Sequence, residues 1–263
     1  MNTIIHPSER VLNWSPSRPD HRDRPIEEFL ELPSWRSLPA STDLRGLFPP
    51  ALDQGRLGSC VSNATAGATQ FTMKKMGSKV FLALPSRLFL YYNTRLIEGT
   101  QGRDSGCYVR DALKSLNSDG VCSEIEWPYV ESQVLTRPSK ISYTHATKEK
   151  SVNYGAVDNT QADQIKAVLA VGYPIIFGFT VYDSFLSAQV AKTGIVPMPG
   201  PNEKDQGGHS MLIGGHDDPT NIYRCRNSWS TTWGQNGWCE MPQDYLENQN
   251  MASDFWVVMQ VTR

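Results

Sequence analysis

Two kinds of periodicity divide this chain, and they meet at Gly172. Before it, apolar residues recur at helical spacing. The stretch "CVSNATAGATQF", from Cys60, puts Val61, Ala64, Ala68 and Phe71 on one face, among small residues that let a neighbour approach closely. "SRLFLYYNTRLIEG" follows a proline and ends in glycine, and "RDALKSLNSDG" ends at Gly120, as capped helices do. A fourth helical stretch, "TQADQIKAVLAVG", opens on Thr160 with Asp163 three residues on, the pattern of a capping box. After Gly172 come "PIIFGFTV", "SMLIGGH", "NIYRCRNSW", "GWCEMP" and "DFWVVMQV". These runs are short, β-branched and aromatic, and separated by turn formers, so they predict strands. Helices followed by strands predict an α+β fold, with a helical lobe at about 41–150, a β-rich lobe at about 151–263 and a cleft between them.

Residues 1–40 follow neither pattern. They hold six prolines and charges of both signs, and they predict an extended arm rather than a core of their own. The domain itself is then 41–263, enough chain for two lobes with a proper interior. A formal charge of −2 provides no basic field for nucleic acid and no polybasic membrane patch. No apolar run approaches the roughly 20 residues that span a bilayer. The N-terminus carries a charge and a proline where a secretory signal needs an apolar stretch, so no address is visible and the cytoplasm is the default.

Nucleophilic catalysis by a thiol needs a thiolate, a base, a group that orients the base, and donors for the oxyanion. Cys60 stands behind glycines in "DQGRLGSC" where a helix begins, so the positive end of the helix dipole favours its thiolate. His209 follows two glycines in "QGGHSMLIGGHDD", which leaves its ring free to project into a cleft. Asn227 ends a strand in "RNSWSTTWGQNGW", where Trp229 and Trp233 supply an apolar cover for an amide and an imidazole. His6, His21, His145 and His216 read as ordinary surface or core histidines. The other four cysteines form no CxxC pair and no zinc spacing. Cys225 and Cys239 flank a hairpin and could meet across it, whereas a helix separates Cys107 from Cys122, which read as free thiols.

Together these residues resemble the papain family of cysteine peptidases, in its bacterial-type branch. The family places a glutamine six positions before its nucleophile, as Gln54 stands to Cys60 in "QGRLGSC". Its histidine lies about 130–150 residues downstream; "GGHS" puts His209 at 149, and "NSWSTTWGQNGW" matches the asparagine motif at Asn227. "LPSRLFLYYNTR", "DSGCYVRDALK" and "GVCSEIEWPY" extend the likeness from about residue 40 to the C-terminus. Leu57 and Asp104 stand where the family has a disulfide, Val61 replaces an aromatic, and Ser230 replaces a glycine.

The resemblance implies a papain-like two-lobed fold and a cysteine endopeptidase acting on polypeptides as a monomer, with no metal or organic cofactor. It implies Cys60 as nucleophile in an ion pair with His209, Asn227 as orienting group, Trp229 as shield, and Gln54 with the Cys60 N–H as oxyanion donors. Gly106 and Cys107 stand where the family pairs with the substrate backbone. Tyr108, Gly178, Gly207 and Ser253, with Gly208 beside the histidine, fall around a roomy, apolar pocket for the second residue before the cut. Three other readings are an inactive peptidase-like binding protein, a cysteine-dependent acyltransferase, and a plain structural protein. The intact catalytic set, the asparagine inside "NSW" and the order of the motifs argue against each in turn. The arm predicts a short prosegment lying partly over the cleft, held by Val11, Leu12, Trp14, Phe29, Leu30 and Trp35.

Overall fold

The computed structural model describes residues 5–77, 84–147 and 150–262. Its helices are α1 (Cys60–Lys75), α2 (Arg87–Ile97), α3 (Val109–Ser118), α4 (Lys140–Ala146), α5 (Ala162–Ala170), α6 (Ala188–Thr193) and α7 (Gln243–Leu246). Its strands are β1 (Ser41–Asp43), β2 (Lys150–Ala156), β3 (Ile175–Tyr182), β4 (Asp205–Asp217), β5 (Ile222–Arg226), β6 (Trp238–Pro242) and β7 (Ala252–Thr262). Helices thus dominate the first half and strands the second, as the change of periodicity predicts.

Local chemistry explains most of these boundaries. The Ser86 hydroxyl accepts the Phe89 N–H at 3.2 Å and starts α2. Gly120 and Gly172 take left-handed backbone just past the ends of α3 and α5. The capping box foreseen at Thr160 does not form. Gln161 is the first residue before α5, and the Thr160 hydroxyl donates instead to Asp158 at 2.7 Å. Asp158 offers that hydroxyl a nearer acceptor, so a turn wins over the cap.

The strands form one antiparallel sheet in the order β2-β7-β3-β4-β5-β6, with β1 paired to β4. One face carries the β-lobe core around Phe177, Phe179, Ile213 and Val257. Ile176, Leu212, Trp256 and Val258 turn to the other face and pack with α1, α2 and α3. Helix α1 is therefore buried on nearly every side, not on one stripe. Its small residues make that close packing feasible, and its N-terminus is delivered to the junction of the two cores.

The described part of the first forty residues packs in two places. Residues from about 5 to 18 run along the junction of the lobes, with Trp14 buried in the helical-lobe core. From about 24 to 32 the chain belongs to the β lobe: Ile26 is fully buried among Val168, Phe177 and Val257, with Phe29, Leu30 and Leu32 beside it. The Ala156 N–H donates to the Arg24 carbonyl at 2.9 Å, fixing that segment to β2. Trp35, expected as an anchor, is 63 % exposed; its ring lies beside Arg36 instead. Ile26→Ala is expected to cost about 2–4 kcal/mol of folding stability, the range for a truncated core aliphatic. Urea unfolding measures it, and a loss below about 0.5 kcal/mol would mean the segment is not part of the core in solution.

Candidate active site

Cys60 is the first residue of α1 and is fully buried. The preceding Ser59 does not cap the helix. Its hydroxyl lies 2.6 Å from the Tyr129 hydroxyl, which leaves the first N–H groups of α1 uncommitted beside the thiol. Strand β4 packs against α1, and the backbone N–H of Ser210, next to His209, is among the groups that favour the thiolate.

His209 is buried and points one ring nitrogen, Nε2, at the Asn227 side-chain oxygen, 2.8 Å away. The same oxygen accepts the Ser228 N–H at 2.7 Å, so the amide is held as an acceptor. Nε2 must then carry the imidazole proton, and Nδ1, which has no protein partner, keeps its lone pair. That tautomer can take a proton from a thiol. The Trp229 ring lies 5.0 Å from the imidazole, centroid to centroid, and Phe179 and Phe185 close the other sides. Ser230 keeps the left-handed backbone, φ 72°, for which a glycine is better suited; its hydroxyl compensates locally by accepting the Thr232 N–H at 3.1 Å.

Gln54 is buried, and its carbonyl accepts the Tyr129 hydroxyl and the Leu57 N–H. Its Nε2 donates to the Leu57 carbonyl at 2.9 Å, its Oε1 accepts the Ser228 hydroxyl at 2.7 Å, and its backbone N–H donates to the Ser228 carbonyl at 2.8 Å. The Ser230 N–H donates to the Leu52 carbonyl at 2.8 Å. Two residues either side of Asp53 are thus stitched to the loop that carries Asn227 and Trp229. Ser228 was not visible as a site residue in the sequence, although it stands beside Asn227.

The arm lies directly on this constellation. The Trp14 N–H donates to the Gly208 carbonyl at 2.9 Å, and Asn13 pairs with Gly208. A Cβ on Gly106 would stand 1.9 Å from the Asn13 carbonyl oxygen, and one on Gly178 1.9 Å from the Trp14 ring. Those two glycines leave the space the arm fills. Ser253 faces Gly178 across β3 and β7, so both adjoin the indole. Its Nε1 donates to Asp254 at 3.3 Å, and the Ser17 N–H donates to the same carboxylate at 2.8 Å. Gly207 lies instead against the Leu12 backbone. Cys107 and Tyr108 line an adjoining cavity of about 440 Å³ with Asn13, Ser15, Arg18 and Glu98. On the opposite side of Trp229 a cavity of about 700 Å³ is bounded by Pro7, Arg10, Asp53 and Trp233. Arg10 seals its edge, donating to Asp53 at 2.5 Å and to the Gly55 carbonyl at 3.0 Å.

Burial pushes the Cys60 thiol up to about 11, against the opposing pull of the N–H groups of Ser210, Val61 and Cys60. Burial also lowers His209 to about 4, although the Asn227 contact acts the other way. Burial thus acts against the charged form of both groups, whereas the helix start favours the thiolate. The helix dipole is outweighed by the loss of water. The other cysteines are buried free thiols; Cys225 and Cys239 face each other across β5 and β6 without a bond.

Comparison with known proteins agrees with this geometry. The sequence model of the papain family cysteine protease matches residues 38–259. A structure of xylellain, a cysteine protease from Xylella fastidiosa, superposes with a TM-score of 0.87 at 36% identity, covering 95% of this chain and 96% of that one. An uncharacterized peptidase C1-like protein of Acanthamoeba polyphaga mimivirus is 41% identical over 84% of this chain and 74% of its own length. Chicken cathepsin K is 27% identical over 89% of this chain and 68% of its own. The chain belongs to the papain family of cysteine proteases, and its two lobes are the papain-like fold.

Proposed function

We propose that this cysteine peptidase is an endopeptidase in which Cys60 attacks the peptide carbonyl and residues 5–18 act as a built-in inhibitor. The observation that carries the catalytic part is the His209–Asn227 hydrogen bond beneath Trp229, which leaves Nδ1 free to accept a proton. His209 takes the thiol proton and then delivers one to the leaving amine. Asn227 holds the imidazole in that tautomer. The tetrahedral oxyanion is met by the free amide hydrogen of Gln54 and the Cys60 N–H. An internally quenched peptide blocked at both ends tests the reading. Hydrolysis by the wild type and silence of Cys60→Ala support it. Acyl transfer to an added amine without net hydrolysis would point to an acyltransferase, and inert wild type with an accessible Cys60 to a binding protein.

Residues 1–40 are read as the arm and 41–263 as the peptidase domain, with the inhibitory part of the arm ending near Arg18. The Trp14 indole then marks the pocket for the second residue before the cut, at Gly178 and Ser253, with Gly106, Cys107 and Gly208 beside the substrate backbone. Gly207 and Tyr108 belong to its flanks. A peptide library is expected to prefer Leu, Phe or Tyr at that position, since an aromatic ring already fits there. A strict preference for Arg or Glu would overturn the assignment.

A further inference from the structure

The disulfide that Leu57 and Asp104 lack would have joined the loop before the nucleophile to the loop facing the substrate. The structure places a hydrogen-bonded chain in that location. Both carboxylate oxygens of Asp104 accept the Gly58 N–H, each at 3.1 Å. The Tyr91 hydroxyl, on buried α2, donates to the same carboxylate. That hydroxyl in turn accepts the Gly106 N–H at 2.9 Å. Gly58 is two residues before Cys60, and Gly106 precedes Cys107 on the strip that meets the arm at Asn13. We propose that Asp104 is a positioning residue, whose carboxylate, relayed by the Tyr91 hydroxyl, locks the nucleophile loop to the substrate-facing strip.

The direction of the donors favours a carboxylate. Gly58 and Gly106 both offer N–H groups, and the tyrosine has one proton to give. With an acceptor at the centre, every donor is satisfied: Gly106 N–H to Tyr91 oxygen, Tyr91 O–H to Asp104, Gly58 N–H to Asp104. An asparagine could keep its Oδ1 on both Tyr91 and Gly58, because one carboxylate oxygen already accepts from both, but its NH₂ would then face the Gly58 N–H where a second acceptor stands now. Tyr91 stays protonated in this setting, because burial and the adjacent acid both raise it far above its ordinary value. Asp104 also bears on the thiol electrostatically. Burial is the main influence that raises Cys60, and the Asp104 charge adds to it.

This proposal rests on the reading of Cys60 as nucleophile, and the test separates the two. Turnover on the blocked peptide, per alkylatable Cys60, is measured for the full-length wild type, Tyr91→Phe and Asp104→Asn, with the pH dependence of Cys60 alkylation by iodoacetamide for each. Tyr91→Phe removes no charge and is expected to lower turnover about threefold with an unmoved alkylation profile. Asp104→Asn is expected to lower turnover about tenfold and to shift alkylation to lower pH, because a negative charge leaves the neighbourhood of the thiolate. Wild-type turnover per thiol and coincident pH profiles in both variants would overturn the proposal and leave these residues as scaffold. A wild type that alkylates but never hydrolyses would overturn the peptidase reading instead. The alkylation profile would still decide the present one: a downward shift in Asp104→Asn supports it, and superposition refutes it.

Discussion

Starting the chain at Pro19 is expected to raise the rate of Cys60 alkylation at pH 6 by about a hundredfold, with peptide hydrolysis rising in parallel. The reason is desolvation. With Asn13 and Trp14 over the cleft, the thiol lies near 11 and the imidazole near 4, so at pH 6 the full-length protein holds almost no thiolate. Each unit by which the thiol falls is about a tenfold gain in thiolate below that value. Removing the cover restores water, and what remains then favours the ion pair: the N–H groups at the start of α1 stabilise the thiolate, and the Asn227 contact stabilises the imidazolium. Alkylation of the shortened chain should therefore be nearly flat between about pH 5 and pH 7, whereas that of the full chain should climb throughout. The cut must fall before Asp23. Arg110 donates to Asp23 at 2.5 Å, and Ile26 lies in the β-lobe core, so a deletion reaching Leu38 would confound release of the site with loss of stability. Equal alkylation rates in the full and Pro19-start proteins at pH 6 would refute the inhibitory reading.

What the sequence revealed here, and what it concealed, follows from how far apart the interacting residues lie. Cys60 at a helix start is a local pattern, as is a histidine after two glycines, and in the structure Cys60 does open α1 while His209 bonds Asn227 and Gln54 bonds the neighbouring Ser228. The switch from helical to strand periodicity likewise gives the order of the elements. Strand β1, "STD", has no apolar residue to announce it and exists through pairing with β4. Ile26 sits in "PIEEF", part of the arm in which Phe29 and Leu30 are the expected anchors, and its burial shows only once β2 is laid against it. The link from Gly58 through Asp104 and Tyr91 to Gly106 joins three distant segments, and no spacing rule encodes it. Protonation was the least legible feature. A helix dipole is visible in sequence, but burial is a tertiary effect, and it pushes the Cys60 thiol up against that dipole.

Gln54→Ala is expected to slow turnover by about 10- to 1000-fold, the range for losing one preorganised oxyanion donor. The geometry explains why the loss should fall on turnover and not on binding. An amide nitrogen has two hydrogens. One is committed to the Leu57 carbonyl, and the amide cannot rotate, because the Ser228 hydroxyl holds its oxygen. The second hydrogen is therefore aimed in a fixed direction, as is the Cys60 N–H at the first position of α1. Such donors act on the oxygen where charge develops and contribute little to the neutral carbonyl before attack. KM should stay within about threefold of wild type, since removing an interaction made only in the transition state lowers kcat and kcat/KM together. Gln54→Glu should fall at least as far, because it presents an acceptor and a negative charge to a forming oxyanion. Ser228→Ala should lose less than Gln54→Ala, because the donor remains and only its orientation is freed. Steady-state kinetics on the Pro19-start protein separates these cases. Unchanged turnover in Gln54→Ala would remove this residue from the oxyanion site and leave the N–H groups of α1 as the donors.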